Sequence, residues 1–301
     1  MEIAIMIEGQ DGLNWPRFQR IARAVEELGF VGLYRSDHFT NSEPPDLDSL
    51  ELWVSFTWLA SHTQRIAFGP MVSPVSFRDP VFTARMAKDV DDLSGGRLVL
   101  GVGAGWQERE HTNFGYDLLD VKGRMARFEE GLEVITRLLR SDEPVSFSGD
   151  FYRLHEAVLL PRPARPGGPP LLIGGNGERR TLPLVARYAD EWNGVFLPAA
   201  RYAELNGKLS ALLEKEGRDP AHVRRSLMTQ VVFGRNDAEV KAKLQGQSAA
   251  DLQAEGIVVG TGDVVQEQLT TLEAAGVQRV MLQWPDLDDL DGLAGLAEAV
   301  L

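Results

Sequence analysis

Three short polar or glycine-rich stretches each follow an apolar run of strand character: Ser36-Asp37-His38-Phe39, Gly101-Val102-Gly103-Ala104-Gly105-Trp106 and Gly174-Gly175-Asn176-Gly177. The first holds a candidate for proton transfer. An imidazole with an ordinary pKa of about 6.5 exchanges a proton near neutrality, and an adjacent carboxylate can orient it. His38 is therefore the leading catalytic candidate, with Asp37 beside it; the same two side chains would also serve simply to satisfy backbone groups of their loop. In the second stretch, glycines at 101, 103 and 105 let backbone come close to a ligand where side chains would block it. Their spacing departs from the dinucleotide and nucleoside-triphosphate fingerprints. The stretch reads instead as a wall for a planar ring, to which Trp106 adds aromatic surface, while Glu108 and Glu110 offer carboxylates at the mouth. Glu108 becomes a general acid if burial raises its pKa, and is otherwise a solvated loop carboxylate.

The third stretch opens a helix through Leu184, Val185 and Tyr188. A helix N-terminus presents unpaired N–H groups and about half a positive charge, so Gly174, Gly175, Asn176 and Gly177 form a candidate phosphate pocket, and Arg179 or Arg180 can add donors. A tight turn that needs glycine for geometry alone is the plainer alternative. Between the first two stretches, Phe68 to Pro80 runs from a strand into small residues and prolines. Such a strand end can hold a bulge or an unusual peptide bond against a flat ring, or merely turn before a helix that proline starts.

These segments meet only if the elements carrying them all end on one face, as the strands of a (β/α)8 barrel do. Strand candidates begin near Ile3, Val31, Arg65, Leu98, Leu171, Glu191, Met228 and Arg279, separated by helical patterns, which predicts an α/β fold, a TIM barrel in one domain over residues 1–301. Asn14 before Trp15-Pro16 caps the first helix, and Gly29 stops it; Asp263 is placed to cap a late helix that ends at Gly276. Two insertions interrupt the repeat. One is a hairpin between helix 4 and strand 5, Val145-Ser146-Phe147 and Phe151-Tyr152-Arg153-Leu154 around Gly149, followed by a Pro-Gly-rich linker; the other is a longer segment after strand 7, Asn236 to Gly260, expected as a lid over the barrel mouth.

A 301-residue chain with 44% hydrophobic residues buries a large core, and a formal charge of -13 argues against a nucleic-acid surface. The absence of cysteine excludes disulfides and thiolate chemistry, and His62, His111, His155 and His222 show no metal-ligand spacing, so no metal site is expected. No apolar run approaches the roughly 20 residues that cross a bilayer. The opening run Glu2 to Ile7 lacks a charged leader and apolar signal core, so a cytoplasmic location is the expectation. Trp53, Trp106, Trp192 and Trp284 serve either packing or an apolar mouth.

Ser36-Asp37-His38-Phe39, then Ser73-Pro74-Val75-Ser76-Phe77-Arg78, then Ser94-Gly95-Gly96-Arg97 leading into Gly101 to Trp106, then Ile173 to Gly177 with Arg187-Tyr188-Ala189-Asp190-Glu191-Trp192-Asn193, resemble the bacterial luciferase-like monooxygenase superfamily over nearly the whole chain. The Ser-Asp-His-Phe and Gly-Ala-Gly-Trp stretches are most similar to its branch dependent on the deazaflavin coenzyme F420. The resemblance implies a barrel with the ring over the strand ends and a phosphate in the loop after the fifth strand, held by Gly174, Gly175, Asn176 and Gly177. It implies that Met71 and Val72 flank a bulged cis peptide behind the ring, with Ser73 next to it, that Gly103, Ala104, Gly105 and Trp106 lie along the ring, and that Asp37 and His38 sit beside its reactive centre. Glu108 falls where relatives place an acid.

The activity so implied is hydride transfer between the deazaflavin and a small organic substrate, with a proton moved by His38 and Glu108. An FMN-dependent monooxygenase would share the phosphate loop, and a non-catalytic flavin-binding protein would keep that loop while His38 and Glu108 point away from substrate. A homodimer built on barrel helices is also implied. The loops after Phe39, from Gln107 to Asp120 and from Asn236 to Gly260 carry no motif that identifies the substrate.

Overall fold

Runs rich in Val, Ile, Leu and Met without polar alternation can bury both faces. In the computed structural model, which describes residues 1–301, they become the staves of a parallel barrel. In chain order the strands are β1 (Glu2–Ile7), β2 (Gly32–Arg35), β3 (Ala67–Pro70), β4 (Ser73–Pro74), β5 (Leu100–Gly103), β6 (Val145–Ser148), β7 (Arg153–Ala157), β8 (Leu171–Gly174), β9 (Glu191–Val195), β10 (Arg224–Phe233), β11 (Val258–Gly260) and β12 (Arg279–Gln283). The barrel order is β3-β2-β1-β12-β10-β9-β8-β5-β4, all parallel, and a bridge between Phe68 and Leu98 brings β3 to the strand that follows β4. With β4 as a continuation of β3 there are eight staves, the expected TIM barrel.

Around them run α1 (Trp15–Leu28), α2 (Leu52–His62), α3 (Pro80–Ser94), α4 (Glu108–Phe114), α5 (Val121–Arg140), α6 (Thr181–Tyr188), α7 (Ala199–Lys215), α8 (Asp237–Leu244), α9 (Ala249–Ala254), α10 (Gly262–Ala274) and α11 (Leu290–Val300). Asn14 accepts from the Arg17 N–H and Gly29 takes φ 100° at the other end of α1, as its sequence predicts. In α10 the cap position belongs to Thr261, and Asp263 sits inside the first turn, where a carboxylate faces the positive end of the helix dipole. No helix is long and apolar enough to cross a membrane.

The antiparallel β6–β7 hairpin is the first insertion. The second differs from its expectation. Residues 236–260 form α8, α9 and β11, with β11 pairing beside β10 and a small apolar cluster of Val232, Val240, Ile257 and Val259 between them. This segment thickens one wall of the barrel and contributes no residue to the cleft that holds His38.

The seventh stave also starts at Arg224, four residues before Met228, because polar residues face inward there. Inside the lower end of the barrel, Glu2 binds Arg224 at 2.5 Å and Arg279 at 2.7 Å, Glu191 binds Arg279 at 3.1 Å, and Arg279 donates to the Tyr34 hydroxyl at 2.9 Å. Above this ionic layer lie Ala4, Met6, Tyr34, Met71, Val99, Leu172, Met228 and Met281. β3 and β5 approach so closely that a Cβ on Gly69 would lie 1.9 Å from the Val99 carbonyl oxygen, and one on Gly101 2.0 Å from that of Pro70. Gly69→Ala is expected to lower the unfolding free energy by about 1–3 kcal/mol, read by urea denaturation; an unchanged midpoint would show that the strands part freely.

Candidate active site

The cleft opens at the C-terminal ends of the strands, where His38, Met71, Val72, Pro74, Gly103 to Trp106, Glu110, Gly174, Gly175, Asn193, Val195 and Met228 enclose about 270 Å³. His38 enters from the loop after β2. Its Nδ1 lies 3.0 and 3.1 Å from the two carboxylate oxygens of Glu110, one of which also accepts the Phe39 N–H at 3.1 Å. Glu110 is 1% exposed and His38 15%. An ionised Glu110 can only accept, so the Nδ1 proton is held and Nε2 is left for a ligand. Burial alone would push the His38 imidazolium down, but the bond and charge of Glu110, with Glu8 and Asp37 adding to them, outweigh it and hold the pKa above the ordinary histidine value.

Glu108, the acid expected from the sequence, is exposed, and the carboxylate on His38 is Glu110. The reason is helical phase: residues two apart in α4 stand about 200° apart, so only one of them can face the barrel. The cue in the sequence is Phe114, four residues after Glu110, which packs on Phe39 with ring centroids 5.0 Å apart.

Asp37 and Ser73, expected on the cofactor, lie under the cleft and do not line it. Asp37 accepts from Arg78 Nε at 2.9 Å, from Arg78 Nη2 at 2.7 Å and from the Ser73 hydroxyl at 2.9 Å, while Arg78 also binds Glu51 at 2.8 Å. This bidentate pair ties the loop after β2 to the loop before α3, one step behind His38. Gln107 Nε2 donates to the Thr40 carbonyl at 2.9 Å, and Arg109 binds Asp46 at 2.6 Å, so α4 is stitched to the same loop. Trp106 is 62% exposed and meets the His38 ring edge-on at 5.5 Å, whereas Trp53, Trp192 and Trp284 are buried packing residues.

The glycine wall differs in detail from its expectation. A Cβ on Gly103 would strike Val72 at 2.5 Å, and one on Gly105 would strike the Ser76 hydroxyl at 2.3 Å, so these glycines first admit the neighbouring loop, and with Ala104 they also face the cleft. The Met71–Val72 peptide is cis. In the turn after β8, Asn176 spends its side chain on β9, donating to the Val195 carbonyl at 2.7 Å and accepting the Val195 N–H at 2.9 Å, and Trp192 donates to the Gly175 carbonyl at 3.0 Å. The backbone N–H groups of residues 176–180 find no acceptor in the chain. Of the four residues expected at the phosphate, Gly174 and Gly175 line the cleft, whereas Asn176 and the exposed Gly177 do not. Sequence reasoning did not single out Asn193, Val195 and Met228 as lining residues; alternation along β9 and β10 was the available signal.

Glu110→Gln removes the charge that outweighs burial, so the His38 pKa is expected to fall below the ordinary histidine value, followed by NMR titration of the imidazole. A value still above ordinary would assign the elevation to Glu8 and Asp37 instead.

The 4-hydroxyprotoasukamycin monooxygenase of Streptomyces nodosus subsp. asukaensis is 36% identical over 181 residues, 60% of this chain and 47% of that protein. The F420-dependent glucose-6-phosphate dehydrogenase of Kineococcus radiotolerans is 28% identical over 238 residues, 77% of this chain and 68% of that one. The alignment thus spans about half the length of the first relative. Among solved structures, an F420-dependent secondary alcohol dehydrogenase in complex with an F420-acetone adduct superposes with a TM-score of 0.85 at 20% identity, covering 100% of this chain and 99% of that one, a likeness of fold. The family model of the luciferase-like monooxygenases matches residues 2–255, and the chain belongs to that family.

Proposed function

We propose that this protein is an oxidoreductase that uses coenzyme F420 to move a hydride to or from a small organic substrate. The observation that carries the proposal is the cleft itself, in which an imidazole anchored by a buried carboxylate faces Gly174 and Gly175, with a run of unpartnered backbone amides at residues 176–180 following directly in the chain. The amides fit an anionic tail, since N–H groups at a helix entrance favour negative charge. Arg179 stands exposed beside them. The relatives named F420-dependent support the choice of coenzyme.

When bound, F420 supplies a carbon that donates or accepts a hydride. The turn of Gly174 to Gly177 and the start of α6 would hold its phosphate, and Met71, Val72, Gly103, Ala104 and Gly105 would wall its ring. Glu110 keeps His38 oriented through Nδ1, so Nε2 takes the hydroxyl proton of an alcohol as its carbon is oxidised, and returns a proton when a carbonyl is reduced. Asp37, Arg78 and Ser73 hold the loop that carries His38.

An FMN-dependent monooxygenase is the second candidate, favoured by the likeness to 4-hydroxyprotoasukamycin monooxygenase; the same amides would take the FMN phosphate. A flavin binder without turnover fits less well, because His38 faces the cleft. A homodimer through barrel helices is part of the same proposal: Val54 on α2 and Val81, Phe82 and Leu93 on α3 leave apolar side chains exposed on adjacent helices. Sedimentation at micromolar concentration is expected to give twice the mass of the chain, and a monomer there would exclude it.

Titration of the apo protein with F420 and with FMN, followed by fluorescence quenching, is expected to show selective binding of F420. Selective binding of FMN reverses the order of the two candidates. His38→Ala is expected to keep F420 affinity and to lose about 10²–10⁴ in kcat; unchanged turnover would remove His38 from the chemistry.

A further inference from the structure

The run that follows β5 climbs from the floor of the cleft to its rim. Gly103 is buried, Ala104 and Gly105 are half-buried, and Trp106, the outermost of the four, is 62% exposed while still lining the cleft that holds His38. Its one aromatic neighbour is the His38 imidazole, at 5.5 Å with the two planes 82° apart. Single exposed apolar side chains are ordinary on a protein surface. Trp106 differs from exposed Phe114 and Val121 in that it lines a cavity, and from Trp53, Trp192 and Trp284, each at most 4% exposed, in that the chain does not cover it.

The backbone that carries this indole is fixed on both sides. Gly105 takes φ 86°, and a Cβ there would lie 2.3 Å from the Ser76 hydroxyl, so the turn that lifts Trp106 to the rim needs glycine. Arg124 Nη1 donates to the Gly105 carbonyl at 3.3 Å. On the other side Gln107 is 3% exposed and joined to Thr40 through both ends of its amide, donating at 2.9 Å and accepting at 3.4 Å. A broad apolar face is thus held in place before anything binds, which keeps the ordering cost of a contact low.

The position of the indole says which ligand it meets. His38 exchanges its proton with the oxygen of the substrate, and a hydrogen bond to Nε2 puts that oxygen about 3 Å away. The side chain that rises next to the imidazole at the rim therefore borders the substituents on the carbon bearing the oxygen. An aliphatic substituent would be served as well by a leucine; what an indole adds is attraction between π systems, beyond the area they cover.

We infer that Trp106 is a specificity-determining residue whose indole packs against an aromatic group on the reacting carbon, so that the preferred substrates are aryl-substituted alcohols and the matching aryl aldehydes and ketones. This rests on the reading of His38 as the proton-transfer group of an alcohol or carbonyl reaction. The wall of the coenzyme ring ends at Gly105, and Trp106 belongs to the substrate.

The test compares benzyl alcohol with its saturated counterpart, cyclohexylmethanol. Each is titrated calorimetrically into protein loaded with reduced F420, with which an alcohol cannot react, using wild type, Trp106→Phe and Trp106→Leu, the thermal midpoint confirming that each variant is folded. Wild type is expected to bind benzyl alcohol about three- to tenfold more tightly than cyclohexylmethanol, Trp106→Phe to keep most of that preference, and Trp106→Leu to bind the two alike with its F420 affinity unchanged. Equal binding by wild type, a preference that survives in Trp106→Leu, or binding of neither alcohol overturns the inference and leaves the proposed coenzyme intact. A fall in F420 affinity in Trp106→Leu also overturns it, since the indole would then lie on the coenzyme. If FMN binds in place of F420, an aromatic preference of the FMN-loaded protein that is lost in Trp106→Leu upholds Trp106 and overturns the coenzyme; failure to bind F420, FMN or either alcohol overturns both.

Discussion

The cleft is organised around one buried contact, the hydrogen bond between His38 Nδ1 and the Glu110 carboxylate. Taking an imidazole and a carboxylate out of water is unfavourable for each alone, and the pair is tolerated because each answers the other. Glu110 is nearly inaccessible, so it cannot turn to solvent without opening α4 from the barrel. The contact therefore holds only while the loop after β2, the loop before α3, and α4 stay in register. The Asp37–Arg78 fork, the Gln107–Thr40 bond and the Arg109–Asp46 pair maintain that register, with Phe39, Phe77, Phe114 and Tyr116 packed between the loops. Residues that a sequence places beside the reaction thus act one layer beneath it.

The barrel was legible because parallel strands covered on both faces read as continuous apolar runs. The exception is informative. β10 begins on Arg224 and Ser226, which face the interior, so polarity there marks the ionic floor of the barrel and not a loop. The site was legible as a set of loops but not as a set of roles. A short helix such as α4 reverses which of two alternate residues faces inward if its phase is unknown, and that separates Glu108 from Glu110. Asp37 is the right type in the right loop, yet its use depends on Arg78, whose position no local pattern reveals. Asn176 likewise carries the amide expected at a phosphate turn, but its side chain is a clasp on Val195 and leaves anion binding to the backbone.

The surroundings of the cleft differ in charge between the turn after β8 and the His38 side, and this constrains what can lie along it. At the turn after β8 there are free amides and exposed arginine. At the His38 end, Glu8 adds its charge to that of Glu110, and Asp11 is held above the usual carboxylate range by burial and by Glu8, with His38 opposing. Glu8 is fixed there by Gln283 at 2.5 Å and Gln10 at 2.9 Å. A ligand with an anionic tail is therefore oriented tail toward α6, with its uncharged part toward the imidazole. The chain as a whole carries -13, which disfavours an approaching anion, but screening within about 8 Å at physiological salt confines the decision to the groups that touch it. The backbone amides suit that task, since they supply positive potential without adding a titratable group or a mobile side chain. The acidic surface and the proposed anion pocket are thus compatible, and the proton-active groups that line the cleft beside its glycine wall are His38 and the buried Glu110 that holds it.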